Sequence, residues 1–265
     1  QLVAFADSAR IPGLSDWIEQ LIAESTGKEG TGRLPIATES LEEARVGGSF
    51  TISFAGTGAD LVVEGPLGAH FIFWEWVTAL LGFALNIDPF NQPNVTEAKN
   101  ATSELLKEWN NKLPALPLGN QDGHVELKSE SIAAELKGLI SNTNGYIAIL
   151  AYLDRKDDIA LVELRKILAE KSGKPVTFGW GPRFQHSTGQ FHKAGQPNGS
   201  FLIITGESNE DFPIAGREFS FKTLVMAQAL GEFRALSARK YPVSRLHLND
   251  RVIGISEILK AASAL

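Results

Sequence analysis

The chain has 265 residues, with 25 basic and 31 acidic side chains and a formal net charge of -6 at pH 7. This balance, without a cluster of Lys and Arg interleaved with aromatic residues, argues against nucleic-acid partners. The absence of cysteine excludes disulfides, thiolate metal ligands and cysteine nucleophiles, and a cytoplasmic location is expected.

Short apolar runs alternate with amphipathic segments in the first part of the chain. Strands are predicted at residues 2–6, 34–38, 49–54 and 60–63. The helix after the first strand is predicted from apolar residues at helical spacing, which are Leu14, Trp17, Ile18, Leu21 and Ile22. The apolar segment 71–85 carries Glu75 and is shorter than the roughly 20 residues that span a membrane. It is therefore predicted to be a core helix, and no membrane contact is expected.

A further helix is predicted over 94–110, and the prolines and glycines between 110 and 129 then predict a surface connection. This connection divides the chain into a first α/β portion over 1–115 and a second over 116–265. In the second portion strands are predicted at 146–152, 175–179, 201–205 and 243–248. Helices are predicted at 129–139, 158–171, 219–239 and the carboxyl end. Such alternation implies an α/β three-layer sandwich with a largely parallel sheet.

The first helix ends in the segment Gln20–Lys28, which reads Gln-Leu-Ile-Ala-Glu-Ser-Thr-Gly-Lys. Gln20 and Glu24 share a helix face because they are four residues apart. This spacing can place a substrate hydroxyl beside a carboxylate that abstracts a proton. Glu24 and Lys28 are also spaced for an ordinary i,i+4 ion pair, so the segment alone leaves both interpretations open.

Two later segments also carry polar side chains suited to chemistry. The loop and helix start over 86–99 end at Lys99, which as a lone helix lysine could equally be a solvated surface residue. The segment 179–195 is too polar and glycine-rich for a predicted core element, and it contains His186 and His192. Proton transfer suits a histidine near neutral pH, whereas a metal site would need a third ligand for which no partner is evident.

Together the three segments resemble phosphoglucose isomerase. The helix motif Gln-x-x-x-Glu-Ser-x-Gly-Lys is matched within Gln20–Lys28. The motif Pro-Phe-Asp-Gln-Pro-Gly-Val-Glu-x-x-Lys is matched in the segment 89–99 at Pro89, Phe90, Gln92, Pro93, Val95 and Lys99. The histidine segment is matched at Gln185, His186 and Gln190. It comes last in this chain, an order that resembles the isomerase part of bifunctional transaldolase/phosphoglucose isomerase fusions.

The resemblance implies a sugar-isomerase (SIS, flavodoxin-like) fold and the interconversion of glucose 6-phosphate and fructose 6-phosphate through a cis-enediolate. Glu24 would carry a proton between C2 and C1, and His186 and Lys99 would move protons during ring opening. The residues implied in substrate binding are Gln20, Ser25 and Gln190. No metal or other cofactor is expected. Because an exposed carboxylate is a weak base, we predict that Glu24 is at least partly buried.

The partners implied by the resemblance are a phosphorylated hexose and a second copy of the chain, with His186 supplied across the dimer interface. The phosphate site and an enediolate-stabilising arginine are expected in an amino-terminal half that is not present in these residues, so the isolated chain is expected to be inactive. Two alternatives keep the same fold, namely a sugar-phosphate-binding module without catalysis and an isomerase acting on another phosphosugar such as mannose 6-phosphate. A purely structural role is the third alternative.

Overall fold

Parallel strands and intervening helices build two sheets in the computed structural model, which describes residues 3–6, 11–115, 124–125 and 129–265. The strands of the first sheet are β1 (Val3–Ala6), β2 (Pro35–Thr38), β3 (Phe50–Ser53) and β4 (Leu61–Val62). They pair in the order β2-β1-β3-β4, and every pairing is parallel. The helices of this part are α1 (Leu14–Thr26), α2 (Leu41–Arg45) and α3 (Leu67–Leu85).

The second sheet is also parallel throughout and has the order β5-β9-β8-β6-β7. Its strands are β5 (His124–Val125), β6 (Tyr146–Tyr152), β7 (Val176–Trp180), β8 (Gly199–Gly206) and β9 (Val243–Leu248). The associated helices are α4 (Val95–Glu108), α5 (Ser129–Asn142), α6 (Glu163–Ser172), α7 (Thr188–Ala194), α8 (Phe221–Ala238) and α9 (Arg251–Ser263). Short 3-10 helices cover Ile159–Val162 and Arg183–His186.

The second sheet lies between two helical layers because its central strands are apolar on both faces. All seven residues of β6 are buried, and its side chains alternate between the faces. Ile147 and Ile149 belong to the cluster that packs against α5, α6 and α9. Ala148 and Leu150 belong to the opposite cluster, which packs against α7 and α8. Helix α4 packs on the outside of α8, through residues that include Leu105 and Leu230.

The first sheet repeats this arrangement with shorter strands. Helices α1 and α3 pack on one face through a cluster around Phe5, Ile18 and Trp74, and α2 packs on the other face beside Ala44. The predicted α/β three-layer class is therefore confirmed, although the parallel strands form two sheets rather than one. The SIS type and the division near residue 115 stay predictions. Most of the connection predicted over 110–129 lies outside the described residues.

Helix α3 corrects the prediction of a core helix over 71–85. Its buried residues repeat every four positions and form one narrow stripe, which consists of His70, Trp74, Thr78 and Gly82. Large apolar side chains on the remaining surface are exposed, among them Trp76 at 65% and Phe83 at 86%. The prediction was wrong because α3 is apolar all around, and such a pattern does not reveal how many faces are covered. By length and composition alone α3 could also cross a membrane.

The end of α1 joins the two sheets. Gly27 follows α1 and lies so close to α7 that a Cβ atom on it would be 2.4 Å from the Phe191 Cα atom. Only glycine permits this approach, since any other residue would force the backbones apart. Ala23 of α1 and Leu34 before β2 complete the contact by packing into the helical layer of the second sheet. The Gly27 position of the motif thus places the carboxyl end of α1 against α7.

Candidate active site

A small cavity of about 170 Å³ lies beside the last turns of α1. It is lined by Trp17, Gln20, Leu21, Glu24, Ser25 and Gln92. Three of these six residues, Gln20, Glu24 and Ser25, were predicted as site residues, and the structure brings them together on one face of the helix end. Gln92 comes from the loop between α3 and α4, so the second predicted segment also reaches this cavity.

Glu24 is partly buried, which confirms the prediction that it is sheltered from solvent. Burial raises the pKa of its carboxyl group above the usual value for glutamate. The charge of His186, a hydrogen bond with Gln20 and the charge of Lys28 act in the opposite direction and lower this pKa. A carboxylate with a raised pKa is a stronger base than an exposed one.

Lys28 does not serve as the simple ion-pair partner that its spacing from Glu24 allows. Its Nζ atom donates to the Asp88 carbonyl oxygen at 2.6 Å, to the Asn91 carbonyl oxygen, and to Asn91 Oδ1 at 3.1 Å. The side chain is buried, and burial lowers its pKa. Lys28 therefore fastens the loop that carries Gln92 onto the end of α1.

Gln190 is fully buried on α7 and links three segments of the chain. Its Nε2 atom donates to the Gly27 carbonyl oxygen at 2.9 Å and to Asn94 Oδ1 at 3.0 Å. Its Oε1 atom accepts from the Asn94 backbone N–H at 3.1 Å. Contact with a substrate, which the resemblance implies for Gln190, requires the exchange of one of these bonds. In the structure Gln190 positions the end of α1 and the start of α4.

His186 and Lys99 line one cavity of about 440 Å³ between α4, α8 and the 3-10 helix that ends at His186. Both side chains are exposed to solvent. The start of α4 is held by Arg239, which donates to both carboxylate oxygens of Glu97 at 2.6 Å. This bidentate pair lowers the pKa of Glu97 and fixes the helix turn that carries Lys99.

The three predicted proton carriers are grouped within one chain. The charge of His186 acts on Glu24, and His186 shares its cavity with Lys99. The resemblance implies instead that His186 comes from a neighbouring subunit. Within the chain, the 3-10 helix carrying His186 packs beside both α1 and α4. The second subunit stays a prediction.

The segment 179–195 corrects the prediction that it is too polar for the core. Residues 188–193 are buried throughout α7, including Lys193 and His192. The Nδ1 atom of His192 shares a hydrogen bond with the Tyr146 hydroxyl at 2.9 Å, and burial lowers the pKa of His192 to about 3. His192 is therefore neutral at physiological pH. The described residues contain no group of His, Asp and Glu suited to a metal ion.

Glu19 is a buried carboxyl group that the sequence did not single out. It lines a cavity between the ends of β2 and β7, with Arg165 and Arg183 nearby. Burial and the charge of Asp16 raise its pKa from 4.5 to about 8, against smaller opposing effects of the two arginines and the Ala37 backbone. The Glu19 carboxyl group is therefore protonated at neutral pH in the folded protein and ionised in the unfolded chain.

Replacement of Glu19 by glutamine is expected to flatten the pH dependence of stability. Between pH 4.5 and about 8 the unfolded wild-type chain releases a proton that the folded state keeps, so stability falls as the pH rises. The slope is roughly 1.4 kcal/mol per pH unit and vanishes above the folded-state pKa. In urea unfolding at pH 5, 7 and 9, the free energy of unfolding of Glu19→Gln should rise relative to that of the wild type as the pH rises. Parallel profiles for the wild type, Glu19→Gln and the exposed control Glu170→Gln would contradict this.

Residues from distant parts of the chain complete these cavities. Gln92 reaches the Glu24 cavity, and Lys107 and Arg217 line the cavity of His186 and Lys99. Lys107 lies eight residues after Lys99 on α4, and this helical spacing is a signal that could have identified it. Arg217 lies in the loop before α8, and no local pattern connects it with α4.

Comparisons with known proteins add little about function. No protein-family model and no curated protein matches the chain. Among solved structures, the chain is similar to the hypothetical protein TT0462 from Thermus thermophilus, with 12% sequence identity and a TM-score of 0.43. That similarity covers 99% of this chain and 77% of the other. A likeness at this level carries no functional argument, so the functional conclusion depends on the site itself.

Proposed function

We propose that this protein is an aldose-ketose isomerase that interconverts glucose 6-phosphate and fructose 6-phosphate through a cis-enediolate. The observation that carries the proposal is the partly buried carboxyl group of Glu24, whose pKa is raised by burial and lowered by the charge of His186. A base poised in this way suits removal of a proton from a carbon next to a carbonyl group. The motif resemblance supplies the identity of the sugar.

In the proposed reaction Glu24 removes the proton from C2 of the open-chain aldose. The electron pair of that C–H bond forms the C1–C2 double bond, and the displaced carbonyl pair leaves the negative charge of the enediolate on O1. A proton moves from the O2 hydroxyl to O1, and Glu24 returns its proton to C1 as the C2–O2 bond becomes the ketose carbonyl. Gln20 and Ser25 lie in the same cavity as Glu24, where they can hydrogen-bond the sugar hydroxyls.

Ring opening needs one group that gives a proton to the ring oxygen and one that takes a proton from the C1 hydroxyl. His186 and Lys99 face a common cavity and are assigned to these proton transfers. His186 also lies within electrostatic reach of Glu24. A substrate that extends from the Glu24 cavity past His186 would therefore meet both parts of the machinery.

A sugar-phosphate-binding module without catalysis is the alternative with the same fold. Such a module needs the cavity but has no use for a base with a raised pKa. The burial of Glu24 and its hydrogen bond with Gln20 therefore favour the enzyme.

The proposal is tested by assaying the full-length protein. Fructose 6-phosphate is offered, and the glucose 6-phosphate formed is measured by a coupled dehydrogenase reaction. We expect turnover with this substrate and slower turnover with mannose 6-phosphate. Binding of fructose 6-phosphate with no isomerisation of either sugar would contradict the enzyme and favour the binding module.

A further inference from the structure

The cavity that holds Lys99 and His186 has an unusual concentration of positive charge for a chain with net charge -6. Its lining includes Lys99, Lys107 and Arg217. No aspartate or glutamate is among the described residues that line it. Such a cavity attracts anions, because three like charges line a common volume and no described lining residue is a carboxylate that would neutralise them.

The three cations also have no ion-pair partner among the described residues. Neither Lys99, Lys107 nor Arg217 forms an ion pair or a side-chain hydrogen bond within the described residues, whereas Arg234 on neighbouring α8 pairs with Glu108. The donors of the three side chains therefore remain available to a ligand. Ser103 and Asn111 add uncharged polar groups to the same wall.

The backbone holds these side chains in place. Lys99, Ser103 and Lys107 follow each other at four-residue intervals on one face of α4. The turn that carries Arg217 is closed by its backbone N–H, which donates to the Ile214 carbonyl oxygen at 3.0 Å.

Two contacts next to Arg217 bind this turn to the end of α4. Asn111 Nδ2 donates to Glu218 Oε2 at 2.9 Å, and Phe219 packs against the apolar cluster between α4 and α8. The first contact engages the Glu218 carboxylate, and both together hold the Arg217 turn beside the end of α4. These contacts fix the backbone positions from which Lys107 and Arg217 extend.

We propose that Lys107 and Arg217 form a binding site for a phosphate monoester, and that this site holds the phosphate of the sugar substrate. An Arg guanidinium offers paired donors to phosphate oxygens, and a Lys ammonium adds a point charge. Lys99 and Lys107 are separated by about 12 Å along the helix axis. A phosphate at Lys107 therefore leaves the sugar carbons near Lys99 and His186.

The assignment to a hexose phosphate rests on the proposed function, whereas phosphate binding does not. It also places a phosphate site within this chain, in contrast to the expectation that the site lies in a preceding half.

Calorimetric titration with inorganic phosphate, glucose 6-phosphate and glucose tests the inference. The double variant Lys107→Ala/Arg217→Ala is compared with Lys137→Ala/Lys171→Ala, which removes two exposed cations from the opposite helical layer. We expect both phosphate ligands to bind the wild type and the control, and to bind the cavity variant at least tenfold more weakly. Glucose should bind none of them measurably, and added salt should weaken phosphate binding.

Equal phosphate affinity in the wild type and the cavity variant would overturn the inference, as would a wild type that binds neither phosphate ligand. Inorganic phosphate binding through these residues with no gain for glucose 6-phosphate would overturn the sugar assignment. The proposed function is judged separately by the isomerase assay. Phosphate ligands bound through Lys107 and Arg217 without turnover would refute the isomerase and leave the phosphate site standing. Turnover with an unchanged KM in the cavity variant would support the isomerase and refute the phosphate site.

Discussion

Glu24→Gln is expected to lower the kcat of sugar-phosphate isomerisation by roughly 10²- to 10⁴-fold, because glutamine cannot accept the C2 proton. The substitution keeps the size and polarity of the side chain, so the cavity with Gln20 and Ser25 should remain intact. KM and the affinity for substrate should change little. The measurement is steady-state kinetics of the full-length protein in a coupled assay, together with thermal unfolding of each variant.

The matched control for this variant is Glu170→Gln, which removes an exposed carboxylate at the end of α6 and should leave kcat unchanged. Glu24→Asp should retain some activity, because the base is still present but is displaced by one methylene group. An isomerase rate in Glu24→Gln equal to that of the wild type would exclude Glu24 as the base, whatever the behaviour of the control.

Lys193→Met is expected to lower the free energy of unfolding by roughly 3–5 kcal/mol. Lys193 Nζ lies 2.7 Å from Glu232 Oε1 and 3.0 Å from Oε2, and the two side chains are 1% and 0% exposed. Removal of the lysine leaves a carboxylate buried without its partner, and that penalty exceeds the value of the lost bond. Urea unfolding monitored by circular dichroism measures the loss.

Two further variants separate the buried pair from ion pairs in general. Arg234→Met breaks the exposed pair with Glu108, whose side chains are 39% and 52% exposed, and should cost less than about 1 kcal/mol. The double replacement Lys193→Met/Glu232→Leu should regain much of the stability that Lys193→Met loses. A single Lys193→Met variant as stable as Arg234→Met would show that the pair is not buried in solution.

Elements with strong local signals could be predicted from the sequence. The run Tyr146–Tyr152 is apolar at every position and forms the interior strand β6. The helical spacing of Leu14, Ile18 and Ile22 identified α1 because those residues pack directly on the first sheet. Alternation of strands and helices gave the parallel class, since parallel strands require long crossover connections. The alternation did not reveal that the strands form two sheets, because the sequence of a single strand does not determine which strand it pairs with.

Helix α7 shows why other elements could not be predicted. Its polar residues are buried because their partners lie far away in the chain. Lys193 pairs with Glu232 across 39 positions, and Gln190 bonds to Asn94 across 96 positions. A polar segment is predicted to be solvent-exposed as long as those partners are unknown. The burial of Lys28 could not be predicted for the same reason, because its hydrogen bonds reach the loop at Asp88.

The candidate site combines both situations. Gln20 and Glu24 are neighbours on one helix, so their proximity follows from helical geometry. The approach of His186 to this helix depends on the close packing of Gly27 against Phe191, which joins two separate sheets. The cationic pair Lys107 and Arg217 likewise depends on the contact between Asn111 and Glu218. Sequence motifs indicated these regions but did not determine how they meet.

The most direct measurement of the central claim is deuterium uptake by the sugar in D₂O. Full-length wild-type protein should place deuterium at C2 of glucose 6-phosphate and at C1 of fructose 6-phosphate, because the proton held by Glu24 exchanges with solvent between removal and return. Glu24→Gln should slow this uptake by at least 100-fold, while Glu170→Gln leaves it unchanged. Uptake by Glu24→Gln at the wild-type rate would contradict the assignment of Glu24 as the proton carrier.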